Sequence, residues 1–338
     1  MGQFFRRWLI SEGLMVENEV PAEGAMRFYA NSMQRTIATA QYFSSGMLPI
    51  ANVKIEHHYP LGTMDPVFNP QITNVTDEFR SEAIRQIIGL GGGKTLEDVA
   101  SKMAPNFRVL ENVLDIKRSP AAANDTVKFR TDDLKITFNE HKEPSMTGGF
   151  KMANSASDAL VLQYYEEPSE LKAAFGHDIS LDAWTKIAEI KDWYGDVLFA
   201  APIVATNVAH PLLETMLSEM ETPGRKFSFL CGHDSNICSV LAALESEDYL
   251  LPEAIERKTP IGSKLVVAIW DGKDGKRYAE LFLTYESPSN LREMPMLGLD
   301  NPPARYQICL KGLKPNADGL YLLSDVEGRF RKAISQNR

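Results

Sequence analysis

The run Lys226-Phe-Ser-Phe-Leu-Cys-Gly-His-Asp-Ser-Asn236 constrains the fold of this chain more tightly than any other stretch. Residues 226–231 form a short apolar run bounded by polar residues, as a buried strand requires, and Gly232 offers a sharp turn. The following segment, 235–247, sets Ile237, Val240, Leu241 and Leu244 on one helical face. His233 and Asp234 therefore stand where a strand ends and a helix begins. Backbone N–H groups point outward there, and the helix dipole favours an anion such as phosphate. An Asp or a Ser at this place also serves as an ordinary helix cap. A cap alone does not call for a histidine beside it.

A second strand–turn–helix unit lies at 26–45. Residues 26–30 read as a strand, and Asn31 is expected to cap a helix over 32–45 with Gln34 as its capping-box partner. Arg35 falls in the first turn of that helix. In an open α/β sheet such turns meet at the carboxyl ends of the strands, where ligands bind, which offers Arg35 the same crevice as His233 and Asp234; the alternative is a solvated surface arginine. A cation in a first turn is electrostatically disfavoured, and a bound anion removes the objection.

The rest of the chain divides by periodicity. Residues 2–15 carry Phe5, Trp8 and Leu9 at helical spacing with no capping residue ahead of them, and Gly13 as a stop. Residues 53–58 read as a third strand whose adjacent His57 and His58 point to opposite faces, a poor metal pair. From 72 to 200 the pattern is mainly helical, over 76–90, 95–104, 106–116, 152–167 and 181–199, with a small hairpin near 126–138. A helix from Pro202 to 221, kinked at Pro211, leads back to the strand at 226. Strands follow at 263–270, 277–285 and 304–310, then a helix over 324–335. The expectation is an α/β core from 1–70 and 202–338 with an inserted, mainly α-helical cap domain over 71–201.

The net charge of −9 argues against nucleic acid as a partner, while a local Arg and His cluster still suits an anionic substrate. No run of about 18 apolar residues occurs, so no membrane-spanning segment is expected. The three cysteines have no metal spacing and read as buried free thiols. Met-Gly-Gln-Phe-Phe-Arg-Arg-Trp has neither the apolar core nor the cleavage site of a signal peptide.

Several chemistries fail on geometry. Gly-His-Asp-Ser cannot form a Ser-His-Asp triad from sequence neighbours, and no Gly-x-Ser-x-Gly elbow is present. There is no His-Glu-x-x-His or paired Cys-x-x-Cys for zinc. Gly91-Gly-Gly-Lys-Thr95 lacks the leading glycine and upstream strand of a P-loop, and a second Gly-His-Asp at 176–178 follows no strand. Arg35, His233 and Asp234 remain. The planar fork of an arginine suits a phosphoryl group, and a histidine can hold a further oxygen. An aspartate beside a phosphate dianion keeps its proton more readily and can donate it to a leaving alcohol. Those parts suit phosphomonoester cleavage in acid; the nucleophile is missing.

Tyr29-Ala-Asn-Ser-Met-Gln-Arg-Thr36, Gly62-Thr-Met-Asp-Pro66 with Phe68-Asn69-Pro70, Leu162-Gln-Tyr-Tyr-Glu166, Gly232-His-Asp-Ser-Asn236 and Thr259-Pro-Ile-Gly262 occur in the order found in the histidine acid phosphatases. The chain resembles this branch of the histidine phosphatase superfamily from Met1 nearly to its end, most of all the bacterial glucose-1-phosphatases. The resemblance implies a phosphoglycerate-mutase-like α/β core sheet flanked by helices, with an inserted helical cap. It implies cofactor-free and metal-free hydrolysis of a small phosphomonoester through a phosphohistidine, in the periplasm or outside the cell. By matching position, Arg35 and His233 would bind phosphate, Asp234 would donate the proton and Glu166 would border the substrate entrance. The nucleophile of that family lies in Arg-His-Gly-x-Arg-x-Pro on the first core strand. None of the six histidines here, at 57, 58, 141, 177, 210 and 233, stands in that motif. Met1 aligns within the family's first long helix, so the expectation is that the first strand and its nucleophile lie upstream. The alternatives are a non-catalytic phosphosugar binder and an inactive fragment.

Overall fold

Apolar strands alternate with amphipathic helices in the computed structural model, which describes residues 1–120 and 129–336. The first part runs α1 (Gly2–Ser11), β1 (Met26–Ala30), α2 (Gln34–Met47), α3 (Asp77–Leu90), α4 (Leu96–Ser101) and α5 (Ala104–Val113). The middle contains β2 (Lys135–Thr137), β3 (Ser145–Thr147), α6 (Gly149–Glu166), α7 (Leu181–Phe199), α8 (Pro202–Val208) and α9 (His210–Glu221). The last part has β4 (Phe227–Cys231), α10 (Asp234–Ala243), β5 (Lys264–Asp271), β6 (Arg277–Tyr285), β7 (Ala304–Gln307), β8 (Tyr321–Leu322) and α11 (Leu323–Ser335).

β1 and β4 pair in parallel, with Tyr29 opposite Leu230 and Ala30 opposite Cys231, so both strands end at one level. β5 and β7 flank β6 in an antiparallel sheet, and β8 also pairs with β6. The far edge of β4 and the outer edge of β5 have no partner strand among the described residues. Phe227 of β4 and Val266 of β5 nonetheless pack against the same apolar cluster.

That cluster joins α1 and α2 to the parallel pair. Phe43 stacks on Phe229 with ring centroids 4.3 Å apart, and Phe5 and Leu9 are buried beside them. Each such side chain contributes about 2–3 kcal/mol by leaving water. The two helices approach so closely at Gly2 that a Cβ would meet Phe43 O at 2.2 Å. A second cluster, around Trp184, Phe150 and Phe107, joins the helices between Ile72 and Val208 and includes Ile255. The third packs α8 to α11 on β6 around Tyr285, Tyr321 and Phe330. The whole is an α/β fold.

Several sequence expectations need correction. The N-cap of α2 is Met33, which makes no side-chain cap, so Asn31 and Gln34 do not form a capping box. The segment 53–58 makes only one bridge, Glu56 to Tyr29, instead of a strand. The expected hairpin near 126–138 lies later in the chain: β2 pairs with β3, eight to twelve residues on, and residues 126–128 lie outside the described residues. The helix from Pro202 to 221 is two helices meeting at Ala209, because Pro211 cannot donate into a continuing helix. The last strand stops at Gln307, and Cys309 is exposed, not buried. Strands at β1, β4, β5 and β6 and helices at α1, α3, α7 and α11 stand within a few residues of the expected positions.

Candidate active site

Because β1 and β4 end level, the chain leaves the sheet twice at the same place, and Asn31 N donates to Cys231 O at 2.9 Å. At Gly232 a Cβ would lie 2.3 Å from Asn236 Oδ1 and 2.8 Å from the Phe68 ring. Only glycine fits that close approach. Asn236 locks the turn: its Oδ1 accepts from His233 N at 2.8 Å and its Nδ2 donates to Phe68 O at 3.0 Å.

The His233 ring then sits between two donors. Asn31 Nδ2 is 2.7 Å from Nε2, and Arg35 Nη2 is 3.2 Å from Nδ1. The amide orientation of Asn31 is set by Asp65 N, which donates to its Oδ1 at 2.9 Å. Arg35 has donors only. Burial first, then the Arg35 charge, holds the His233 pKa below the usual imidazole value, with Asp234 opposing. A neutral imidazole offers one lone pair, so two neighbouring donors leave one contact unmatched. An oxyanion that accepts from Arg35 and from the ring N–H resolves the mismatch.

Asp234 is the first residue of α10 and is exposed. Its Oδ1 accepts from Ser235 N at 2.9 Å, and its Oδ2 lies 3.5 Å from Lys191 Nζ of α7. Glu143 and Tyr194 face it: burial first and the Asp234 charge second raise the Glu143 pKa, and Tyr194 is raised by burial, Glu143 and Asp234. A cavity of about 410 Å³ lies beside Asp234, lined also by Asp158, Lys191 and Tyr194. On the other flank Tyr29 donates to Asp65 Oδ2 at 2.6 Å and stacks on His58.

Arg35, His233 and Asp234 are thus together, as their places on two helix starts predict. Glu166 is not in contact with them: it is the exposed last residue of α6. Its neighbour Tyr165 turns inward and donates to Glu256 Oε2 at 3.2 Å. The second Gly-His-Asp lies apart, where His177 pairs with Asp115 at 3.2 Å and Ser180 caps α7. Gly91–Thr95 joins two helices, and Thr95 and Asp98 form a capping box there. The bonding roles of Asn31, Asp65 and Asn236 escape a sequence reading, and Glu143 and Lys191 escape it altogether as site residues. Lys191 alone leaves a signal, a cation directly after Ile190 on a helix whose Ile187 and Ile190 are buried.

Residues 1–284 match the family model described as histidine phosphatase superfamily (branch 2). The chain is 36% identical over 344 residues to a glucose-1-phosphatase of Providencia rettgeri, covering 99% of this chain and 80% of that protein. It is 36% identical over 339 residues to a glucose-1-phosphatase of Salmonella typhimurium, covering 98% and 80%. Among solved structures, Hafnia alvei phytase superposes with a TM-score of 0.88 at 22% identity, over 99% of this chain and 84% of the other. That last likeness is one of fold.

Proposed function

The chain belongs to the histidine phosphatase superfamily, branch 2, and on that premise we propose that it carries the phosphate-binding and proton-donating parts of an acid phosphatase for small phosphomonoesters. The observation that carries this reading is the unmatched donor pair on His233, which an oxyanion satisfies. In the proposed reaction the phosphoryl group lies against Arg35 and His233, and a nucleophilic histidine forms the new N–P bond. The P–O bond to the alcohol breaks as Asp234 passes its proton to the leaving oxygen. Water then attacks the phosphohistidine, a P–O bond forms as the N–P bond breaks, and Asp234 takes up a proton from that water to regain its acid form. Glucose 1-phosphate and similar sugar phosphates are the first substrate class under this reading, supported by the likeness to two glucose-1-phosphatases. Inositol phosphates are the second.

The attacking histidine is not among the side chains gathered at the site. We propose that it arrives on a further strand, for which the unpaired edges of β4 and β5 are the natural place. Residues 71–201 act in this proposal as the cap over the site, with Glu166 at the substrate entrance, and the working protein belongs in the periplasm or outside the cell. The second reading, a phosphosugar binder without turnover, is favoured by the absence of Arg-His-Gly from these residues.

Thermal unfolding of this chain with and without inorganic phosphate tests the binding half. A phosphate-dependent rise in Tm is expected, lost in Arg35→Ala, since removing a charge-assisted bidentate donor weakens binding by about tenfold to a hundredfold. No shift in the wild-type chain would rule out the phosphate site. The chain assayed alone on p-nitrophenyl phosphate is expected to show no turnover; release above the uncatalysed rate would mean that a residue present here is the nucleophile.

A further inference from the structure

Lys191 is the only cation in ion-pair contact with Asp234 among the described residues, and it comes from the helical layer, not from the sheet. Its Nζ lies 2.7 Å from Glu256 Oε1, 3.5 Å from Asp158 Oδ1 and 3.5 Å from Asp234 Oδ2. Glu256 is 1% exposed and fixed in turn: its Oε2 accepts from Tyr165 OH at 3.2 Å and from Ile261 N at 3.0 Å. The ammonium therefore has a rigid anchor on one side and the exposed carboxyl of Asp234 on the other. Burial alone would lower its pKa, but Glu256, Asp234 and Asp158 outweigh burial and raise it, so Lys191 stays charged.

We propose that Lys191 is a positioning residue that holds the Asp234 carboxyl in place and balances its charge, so that an anion can bind at Arg35 and His233 beside it. The proposal rests on the phosphate reading of that site. Its physical need is plain. Asp234 stands next to His233, and Glu143 faces it with a second carboxyl, so a phosphate dianion arriving there meets like charge. A fixed ammonium 3.5 Å from the carboxyl offsets that repulsion without occupying the anion's own place. The arrangement also ties the helical layer to the chemistry, because α7 supplies Lys191, the segment before β5 supplies Glu256 and the start of α10 supplies Asp234.

A double-mutant cycle on this chain tests it, with inorganic phosphate affinity at pH 7.5 read by calorimetry for wild type, Lys191→Met, Asp234→Asn, the double variant and Lys191→Arg. Lys191→Met is expected to weaken phosphate about tenfold, as loss of one close compensating charge does, with Lys191→Arg restoring most of it. In the Asp234→Asn background the same change is expected to cost less than in the wild-type background, because only the ammonium's own attraction for the anion is then lost and no carboxylate is released toward it. A general structural role would lower affinity equally in both backgrounds, and that result, or an unchanged affinity in Lys191→Met, overturns the proposal. Circular dichroism of each variant identifies one that has failed to fold; if Lys191→Met does not fold, Lys191→Gln takes its place in the cycle. Absence of phosphate binding by the wild-type chain overturns the phosphate reading itself, and the role of Lys191 with it.

Discussion

At His233 two donors compete for one lone pair, and this sets how the site answers pH. The neutral ring that accepts from Asn31 at Nε2 has one N–H, at Nδ1, to give a bound anion, whereas an imidazolium would turn a second N–H against the Asn31 amide. Burial and the Arg35 charge keep the ring neutral, so sulfate, which does not titrate in this range, is expected to bind with no His233-linked gain as pH falls from 8 toward the ordinary imidazole value of 6.5. His233→Gln should leave the profile unchanged; a slope that His233→Gln removes would show that the ring charges on binding. Gly232→Ala forces a Cβ to 2.3 Å from Asn236 Oδ1 and should destabilise the chain by about 1–3 kcal/mol in urea unfolding. In a form of the protein supplied with its nucleophile, Asp234→Asn is expected to slow release of an alkyl alcohol far more than of nitrophenol, which needs no proton. Equal losses on both substrates would remove Asp234 from the donor role. His233, Asp234 and Arg35 were legible because strand, turn and helix spacing are local. Asn31 was not, since a side chain that suits a cap locally was claimed instead by a ring 202 positions away.

Among the elements, those with a clear apolar period came out where the sequence places them. β1 and β4 are short apolar runs closed by turn residues, and α7 carries Trp184, Ile187 and Ile190 inward. Elements without such a period moved. Residues 53–58 alternate poorly and only Glu56 finds a partner, while β2 chooses β3 because pairing there lets Met146 be buried. Among the described residues β4 and β5 each have one edge without a partner strand, a template for strand addition. Sedimentation of this chain at rising concentration is therefore expected to show association, and a monomer at every concentration would mean the edges are shielded.

Across the whole molecule α7 is the link between the helical layer and the sheet side. Beside Lys191, Asp192 Oδ2 accepts from Arg257 N at 2.7 Å, so successive residues of one helix hold the segment 256–261. Burial, more than the nearby Glu256 and Asp196, pushes the Asp192 carboxyl up to about 8 from 3.8. The folded chain thus keeps a proton that the unfolded chain releases. Stability from this group is full below pH 3.8 and is lost as pH rises toward about 8. Tm measured from pH 4 to 8 should fall, and Asp192→Asn should flatten the decline and raise Tm at neutral pH. A variant with an unchanged slope would assign the dependence elsewhere.

What the sequence determined by itself was local and periodic: the strands and helices with strong apolar spacing, the two helix starts that carry Arg35 and His233–Asp234, and the order of motifs that marks the family. These follow from nearest neighbours along the chain, so one sequence suffices to read them. Tertiary structure alone decided which polar groups share a partner. The Asn31–His233–Arg35 conflict, the inward turn of Tyr165 beside an exposed Glu166, and the reach of Lys191 from α7 to Asp234 join residues far apart in sequence. Hydrogen bonds and ion pairs carry no periodic trace in sequence, because their geometry exists only once the layers have packed.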